Sequence, residues 1–311
     1  MPMRFSGHES FAFRYAWLPK AYQLLAGNPN GLADDESAMV ALGIGKNMVQ
    51  SLRFWAEATG LAISNGGRSY ELTPFAHAVF GEDGHDPYLE DIRTLWLLHW
   101  NVSTQAENPI FAWRFLLNQW PYSELAKTEV VDAFSRESDR LGHSHSPVTL
   151  GQHFDVFLHT YVSTRGSAKI GVCEDSLDGP LVELGFLHYV GDRSAGGAGK
   201  REAVYAFRRE PKPEITRQLF EYCLNDYWQQ WHPAEATLRL RDVSVGLCSP
   251  GQVFKLPEED VRERLELYAV AGLDLPFSYQ SSAVQGLLSR TPHADGVNFL
   301  AAVYEEQLQD A

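Results

Sequence analysis

The sequence predicts an α+β protein, mainly α with small β-hairpins, arranged as two or three winged-helix-like units joined by helices. Three observations point there. Residues 34–80 carry two short helical patterns that meet at Gly43-Ile44-Gly45 and run on into a hairpin pattern. A similar order returns after residue 147. Between the two lies an aromatic, strongly apolar helical stretch from Leu89 to Trp120. The expected segments are 1–85 (N-terminal segment and first winged helix), 86–146 (aromatic helical connector), 147–213 (second unit with a basic wing) and 214–311 (C-terminal helical or winged-helix-like unit).

In the first unit, Asp34 and Asp35 stand where a helix over Glu36–Leu42 needs an N-cap, and Gly43 suits a left-handed end. A second helix is expected over Lys46–Ala58. Its Met48, Leu52, Trp55 and Ala56 fall at i, i+4, i+7 and i+8, a stripe that demands burial, with Lys46, Gln50, Arg53 and Glu57 on the other side. Gly60 stops that helix. Leu61-Ala62-Ile63 and Ser69-Tyr70-Glu71-Leu72 read as two strands around the turn Asn65-Gly66-Gly67. Winged helices serve both as DNA readers and as protein-docking modules. Lys46, Asn47, Gln50 and Arg53 on the second helix, with Arg68 at the wing, are side chains suited to phosphates and base edges.

Composition limits the function classes. The 311 residues are 44% hydrophobic and 12% aromatic, enough for well-filled cores. No apolar run reaches the ~18 to 20 residues that cross a bilayer, and the N-terminus lacks a signal-peptide pattern, so a soluble cytoplasmic protein is expected. Cys173, Cys223 and Cys248 lie far apart and form no metal or disulfide pattern. A formal charge of −14 argues against non-specific coating of DNA. Charge is unevenly spread: residues 193–213 hold six basic against two acidic side chains, a local +4. One basic edge on an acidic body suits site-restricted DNA contact.

Taken in order, residues 5–17 are dense in aromatics around Gly7-His8-Glu9-Ser10. Phe11, Phe13, Tyr15 and Trp17 would share one face of an extended segment with Arg14 opposite, before a helix over Lys20–Ala26. His8 and Glu9 are either a structural pair or a functional one. Thr73-Pro74 opens a short helix to Phe80, and Glu82–Asp86 reads as a solvated loop. Tyr122–Leu141 reads as one more polar helical stretch, and His143-Ser144-His145 as a loop without a third metal ligand. In the second unit Thr149 caps a helix through Val162, and Asp175 or Ser176 opens a short helix ending at Gly185. Strands are expected over Phe186–Val190 and Ala203–Phe207 around a flexible basic wing carrying Arg193, Lys200 and Arg201. A third version would comprise a helix or strand over Leu238–Val245, a turn at Ser249-Pro250-Gly251, a helix over Pro257–Ala271 and a hairpin over Phe277–Ser281 and Ala283–Leu288.

Phe5-Ser6-Gly7-His8-Glu9-Ser10-Phe11, Leu42-Gly43-Ile44-Gly45-Lys46-Asn47-Met48-Val49 and Glu174-Asp175-Ser176-Leu177-Asp178 occur in one order. Over nearly its whole length the chain resembles a bacterial family labelled a domain of unknown function, whose members are found beside phosphorothioate DNA modification genes. The resemblance implies the B component of an Ssp-type system: a DNA-nicking protein that works with a cysteine desulfurase, an ATPase and a sulfur-activating ATP pyrophosphatase. It assigns no catalytic residue one by one.

Nicking needs an activated nucleophile, charge stabilisation at phosphorus and, usually, a divalent cation such as Mg or Mn held by carboxylates. Two places offer that mix. His8, Glu9 and Arg14 supply a base, a carboxylate that could also hold a metal, and a cation; Glu174, Asp175 and Asp178 supply three carboxylates near the basic wing. The alternative is a non-catalytic adaptor that binds double-stranded DNA and recruits the sulfur-transfer enzymes; a protein-interaction scaffold is a third reading. No G-x-x-x-x-G-K-[ST] loop is present, which excludes that form of nucleotide hydrolysis.

Overall fold

A computed structural model describes residues 3–66, 69–163, 179–194, 201–269, 274–282 and 286–305. It is a mixed α+β fold of short helices and three small antiparallel sheets, divided into two compact units, Met1–Arg208 and Arg209–Ala311.

The first unit begins with a segment stitched to a distant loop: Arg4 N–H donates to the Pro109 carbonyl at 2.9 Å and Phe111 N–H to the Arg4 carbonyl at 3.0 Å. The expected extended aromatic face is not formed. Phe13 and Trp17 are buried, Phe11 and Tyr15 only partly, because residues 7–10 turn and helix α1 already starts at Trp17 (Trp17–Gly27). Pro19 does not delay that helix, since the amides of a first turn have no helical partner to lose.

Helix α2 (Asp35–Leu42) is capped by the Asp34 side chain, which accepts from Ser37 N–H at 2.8 Å, and ends at Gly43 with φ 68°. Helix α3 (Lys46–Ala58) follows after three residues, Gly43-Ile44-Gly45. Its buried stripe is led by Val49, not Met48, and continues through Leu52, Trp55 and Ala56. The indole N–H of Trp55 donates to the Phe11 carbonyl at 3.1 Å, which ties the N-terminal segment to α3. Strands β1 (Ala62–Ser64) and β2 (Tyr70–Leu72) pair antiparallel. Helix α4 (Pro74–Phe80) has the expected Thr73 cap, accepting from Ala76 N–H at 3.0 Å. Asp86, expected in a solvated loop, is buried and accepts from the amides of Glu90 (2.8 Å) and Asp91 (3.1 Å).

Helices α5 (Ile92–Thr104) and α6 (Phe111–Asn118) supply the aromatic core. Trp113 lies edge-on to Trp55 at 5.7 Å and to Phe157 at 5.0 Å. His99 in this core is satisfied by the Tyr161 hydroxyl at 2.7 Å, which also accepts from Trp113 N–H at 2.8 Å. The expected single helix over 122–141 is instead strand β3 (Glu124–Ala126) followed by helix α7 (Lys127–Arg140). A partner some eighty residues away decides this: Leu125 pairs with Tyr205. Helix α8 (Pro147–Tyr161) starts earlier than expected because Ser146, not Thr149, is the cap, accepting from Thr149 N–H at 3.1 Å. A 3-10 turn at Pro180–Leu184 closes on Gly185 (φ 54°). Strands β4 (Leu187–Ser194) and β5 (Arg201–Phe207) outrun the expected hairpin and complete a sheet of order β3-β5-β4.

In the second unit, helix α9 (Arg217–Trp231) leads to β6 (Thr237–Arg239), α10 (Leu240–Val245), α11 (Pro250–Val253), α12 (Glu258–Glu266), β7 (Phe277–Gln280), β8 (Leu287–Arg290) and α13 (Phe299–Tyr304). Leu238–Val245 thus holds both a strand and a helix. The expected turn at Ser249 opens α11, and the helix expected to reach Ala271 gives way to a 3-10 turn at Leu267–Ala269. The sheet order β6-β8-β7 repeats that of the first unit's larger sheet. Cys223 and Cys248 are buried and in no disulfide; Cys173 lies outside the described residues.

Candidate functional site

The turn Gly7-His8-Glu9-Ser10 is built from an unusual run of left-handed residues. Gly7 has φ 108°, Glu9 46° and Ser10 64°. At Gly7 a Cβ would lie 2.9 Å from the Phe54 ring, so glycine answers both the angle and the space. Glu9 and Ser10 have no such excuse, and each costs on the order of 1 kcal/mol in that region. Something must hold them there.

What holds them is His8. Its side chain is 5% exposed, with the Phe54 ring edge-on at 5.6 Å. His8 Nε2 lies 2.9 Å from Nδ1 of His153, a residue of α8 that is 1% exposed. His153 Nε2 in turn accepts from Ala112 N–H at 3.0 Å. Ala112 is in the first turn of α6, whose N-cap residue Ile110 offers no side-chain acceptor, so the imidazole takes a capping residue's place. Burial pushes the His8 pKa down to about 4 and that of His153 well below its ordinary value, with His8 and His145 adding repulsion at His153. Both rings are neutral at pH 7. Phe5 stacks on Phe111 at 4.3 Å and lies tilted against His145 at 4.2 Å. His153 escaped the sequence reading, although it sits in an otherwise apolar stripe of α8 with Leu150, Phe154, Phe157 and Tyr161.

Of the three residues expected to act together, His8 points inward, Glu9 stands exposed on the turn, and the Arg14 guanidinium lies over the rings of Phe11 (5.4 Å) and Trp17 (5.6 Å). Glu174, Asp175 and Asp178 lie outside the described residues. Among the described residues no group of three or more His, Cys, Asp or Glu side chains could hold a metal ion. Glu9 is the only carboxylate in the turn Gly7–Ser10, so no all-protein magnesium cage is formed there; a magnesium ion at Glu9 would take its remaining oxygens from water and substrate phosphate.

On α3 the expected DNA-facing residues separate into two groups. Lys46 and Asn47 are exposed and Gln50 half-buried. Arg53 is turned inward: its Nε donates to the Leu32 carbonyl at 2.7 Å and its Nη1 to Asp35 at 2.6 Å, holding that carboxyl below the usual range. Lys46, Gln50 and Arg53, with Asp34, Asp35 and Glu36, line a polar concavity of about 490 Å³. On the second hairpin Arg193 is paired with Glu129 (2.8 Å) and Glu202 (3.3 Å), and Arg201 donates to the Asp192 carbonyl at 3.2 Å. Arg68 and Lys200 lie outside the described residues. Arg53→Ala is therefore expected to lower the melting temperature, with about 1 kcal/mol lost for the Leu32 hydrogen bond alone. Thermal unfolding of that variant beside Lys46→Ala separates the two kinds of residue.

The family described as "Protein of unknown function (DUF4007)" matches residues 5–304. Two solved structures are similar to this chain: an SspB crystal structure and a magnesium ion-bound SspB crystal structure. Each is 24% identical with a TM-score of 0.80, covering 97% of this chain and 89% of its own. At that identity the likeness shows the fold. Among curated proteins there is no match. No helix among the described residues is long and apolar enough to cross a membrane.

Proposed function

The chain belongs to the DUF4007 family, and from that membership we propose that it nicks double-stranded DNA to open the backbone for phosphorothioate modification, in company with sulfur-transfer enzymes. The observation that carries the reading is the turn at Gly7–Ser10: a strained backbone, pinned from inside by His8, that holds the Glu9 carboxylate out in solvent. Strain of this kind is retained where geometry serves chemistry. Likeness of fold to SspB and the resemblance to Ssp-type B components support it.

Glu9 takes the proton of a water that attacks phosphorus; the P–O bond to the leaving oxygen breaks, and that oxygen gains a proton from solvent. The chain holds DNA with α1–α3 and the β1–β2 hairpin acting as a winged helix, Lys46 and Asn47 meeting phosphates and Gln50 a base edge. Arg68 on that wing, and Arg193, Lys200 and Arg201 on the second, add phosphate contacts. The units around the β3-β5-β4 and β6-β8-β7 sheets are read as further winged helices.

Binding to a DNA duplex at about 50 and 200 mM salt tests the DNA-facing half of this reading. Affinity should fall steeply with salt, and Lys46→Ala should reduce the slope by about one. Gln50→Ala should alter sequence preference more than affinity. Salt-independent binding, with both variants unchanged, would remove α3 from the interface.

A further inference from the structure

The contacts around His8 and His153 cannot all be satisfied by two neutral imidazoles. Three hydrogen bonds are drawn along the pair: Ala112 N–H to His153 Nε2 at 3.0 Å, the ring-to-ring contact at 2.9 Å, and Ser10 N–H to His8 Nδ1 at 3.2 Å. The two outer contacts come from backbone amides, which can only donate. Two neutral rings carry two N–H groups, and the inner contact uses one. The other N–H must face an amide.

The longer contact is the one that yields. Ala112 N–H is buried in the first turn of α6 and has its acceptor in His153 Nε2, so the His153 proton sits on Nδ1 and is donated to His8 Nε2. His8 Nε2 is then an acceptor and its own proton lies on Nδ1, opposite Ser10 N–H. Donor faces donor at the mouth of the turn, beside the exposed Glu9. A single acceptor oxygen set beside the 3.2 Å gap between the two nitrogens relieves this clash once both N–H groups tilt toward it.

We infer that His153 is a positioning residue that locks His8 in its Nδ1–H tautomer, and that His8 Nδ1–H and Ser10 N–H together form a seat for one non-bridging oxygen of a phosphodiester. This rests on the nicking reading for its consequence, though not for its geometry. It also changes the role of His8: with Nε2 occupied and Nδ1 protonated, the ring is a hydrogen-bond donor to the phosphate, and the base at the turn is Glu9. Paired N–H donors fixed before the substrate arrives stabilise charge that grows on a phosphoryl oxygen.

Nitrogen-15 spectra of histidine-labelled protein at neutral pH decide the lock. The parent should show His8 protonated at Nδ1, and added dimethyl phosphate should shift that proton downfield. His153→Gln keeps an amide oxygen for Ala112 N–H but removes the donor to His8. In that variant the His8 tautomer should no longer be fixed, the phosphate shift should vanish, and kcat for nicking should fall about ten-fold with KM little changed. A parent His8 protonated at Nε2, or a His153→Gln protein that keeps the Nδ1–H tautomer, overturns the inference. A parent that binds phosphate at His8 yet never nicks leaves the seat standing and removes the nicking reading instead. If His153→Gln does not fold, the pair His8→Asn and His8→Gln replaces it. Asparagine retains an N–H near the Nδ1 position and should keep a downfield shift of the Ser10 amide proton on adding dimethyl phosphate, glutamine should lose that shift, and the reverse order overturns the seat.

Discussion

Glu9→Gln is expected to lower the nicking rate by at least about 100-fold while the protein melts and binds DNA like the parent. The carboxylate is exposed, so an isosteric amide disturbs no packing. Only its capacity to take a proton is lost. Glu9→Gly sharpens the test from the other side. Glycine accepts φ 46° without strain, so this variant should be as stable as the parent or more stable, by up to about 1 kcal/mol, and still be inactive. Gain of stability with loss of activity is the mark of a residue kept in an unfavourable conformation for its chemistry. Parent-rate nicking by Glu9→Gln would move attention to Glu174, Asp175 and Asp178.

Acid should unfold the protein through the histidine pair. Burial depresses the folded pKa of His8 from the ordinary 6.5 to about 4, and that of His153 well below 6.5. Between those limits the unfolded chain binds more protons than the folded one, so stability falls as pH drops from 6.5 toward 4 and is unaffected by this pair above it. His8 alone accounts for a loss on the order of 3 kcal/mol across that window. Urea unfolding at about pH 7 and pH 4.5 should show a large difference in the parent and a smaller one in His8→Asn. Equal pH dependence in the two proteins would contradict the buried neutral pair.

Local signals were legible, and long-range ones were not. Asp34, Gly43, Thr73 and Pro74 punctuate their helices through neighbours two to five residues away, and the structure follows them. Strand β3 was unreadable because Leu125 takes its conformation from Tyr205. Arg53 looked like a free cation on a polar helix face; Asp35 and the Leu32 carbonyl, about twenty positions upstream, turn it inward. The turn at Gly7–Ser10 was half legible. Gly7-His8-Glu9-Ser10 stands out among aromatics, but nothing local reveals that the partner of His8 is His153, 145 residues on. A lone histidine in the buried stripe of α8 was the available hint.

Conversion of supercoiled plasmid to the open-circular form, in magnesium buffer, tests the proposed activity most directly. The parent should yield open circles before any linear product, and Glu9→Gln prepared in the same way should not. Plasmid left supercoiled by a parent protein that binds it tightly would contradict nicking and leave a DNA-binding adaptor in its place.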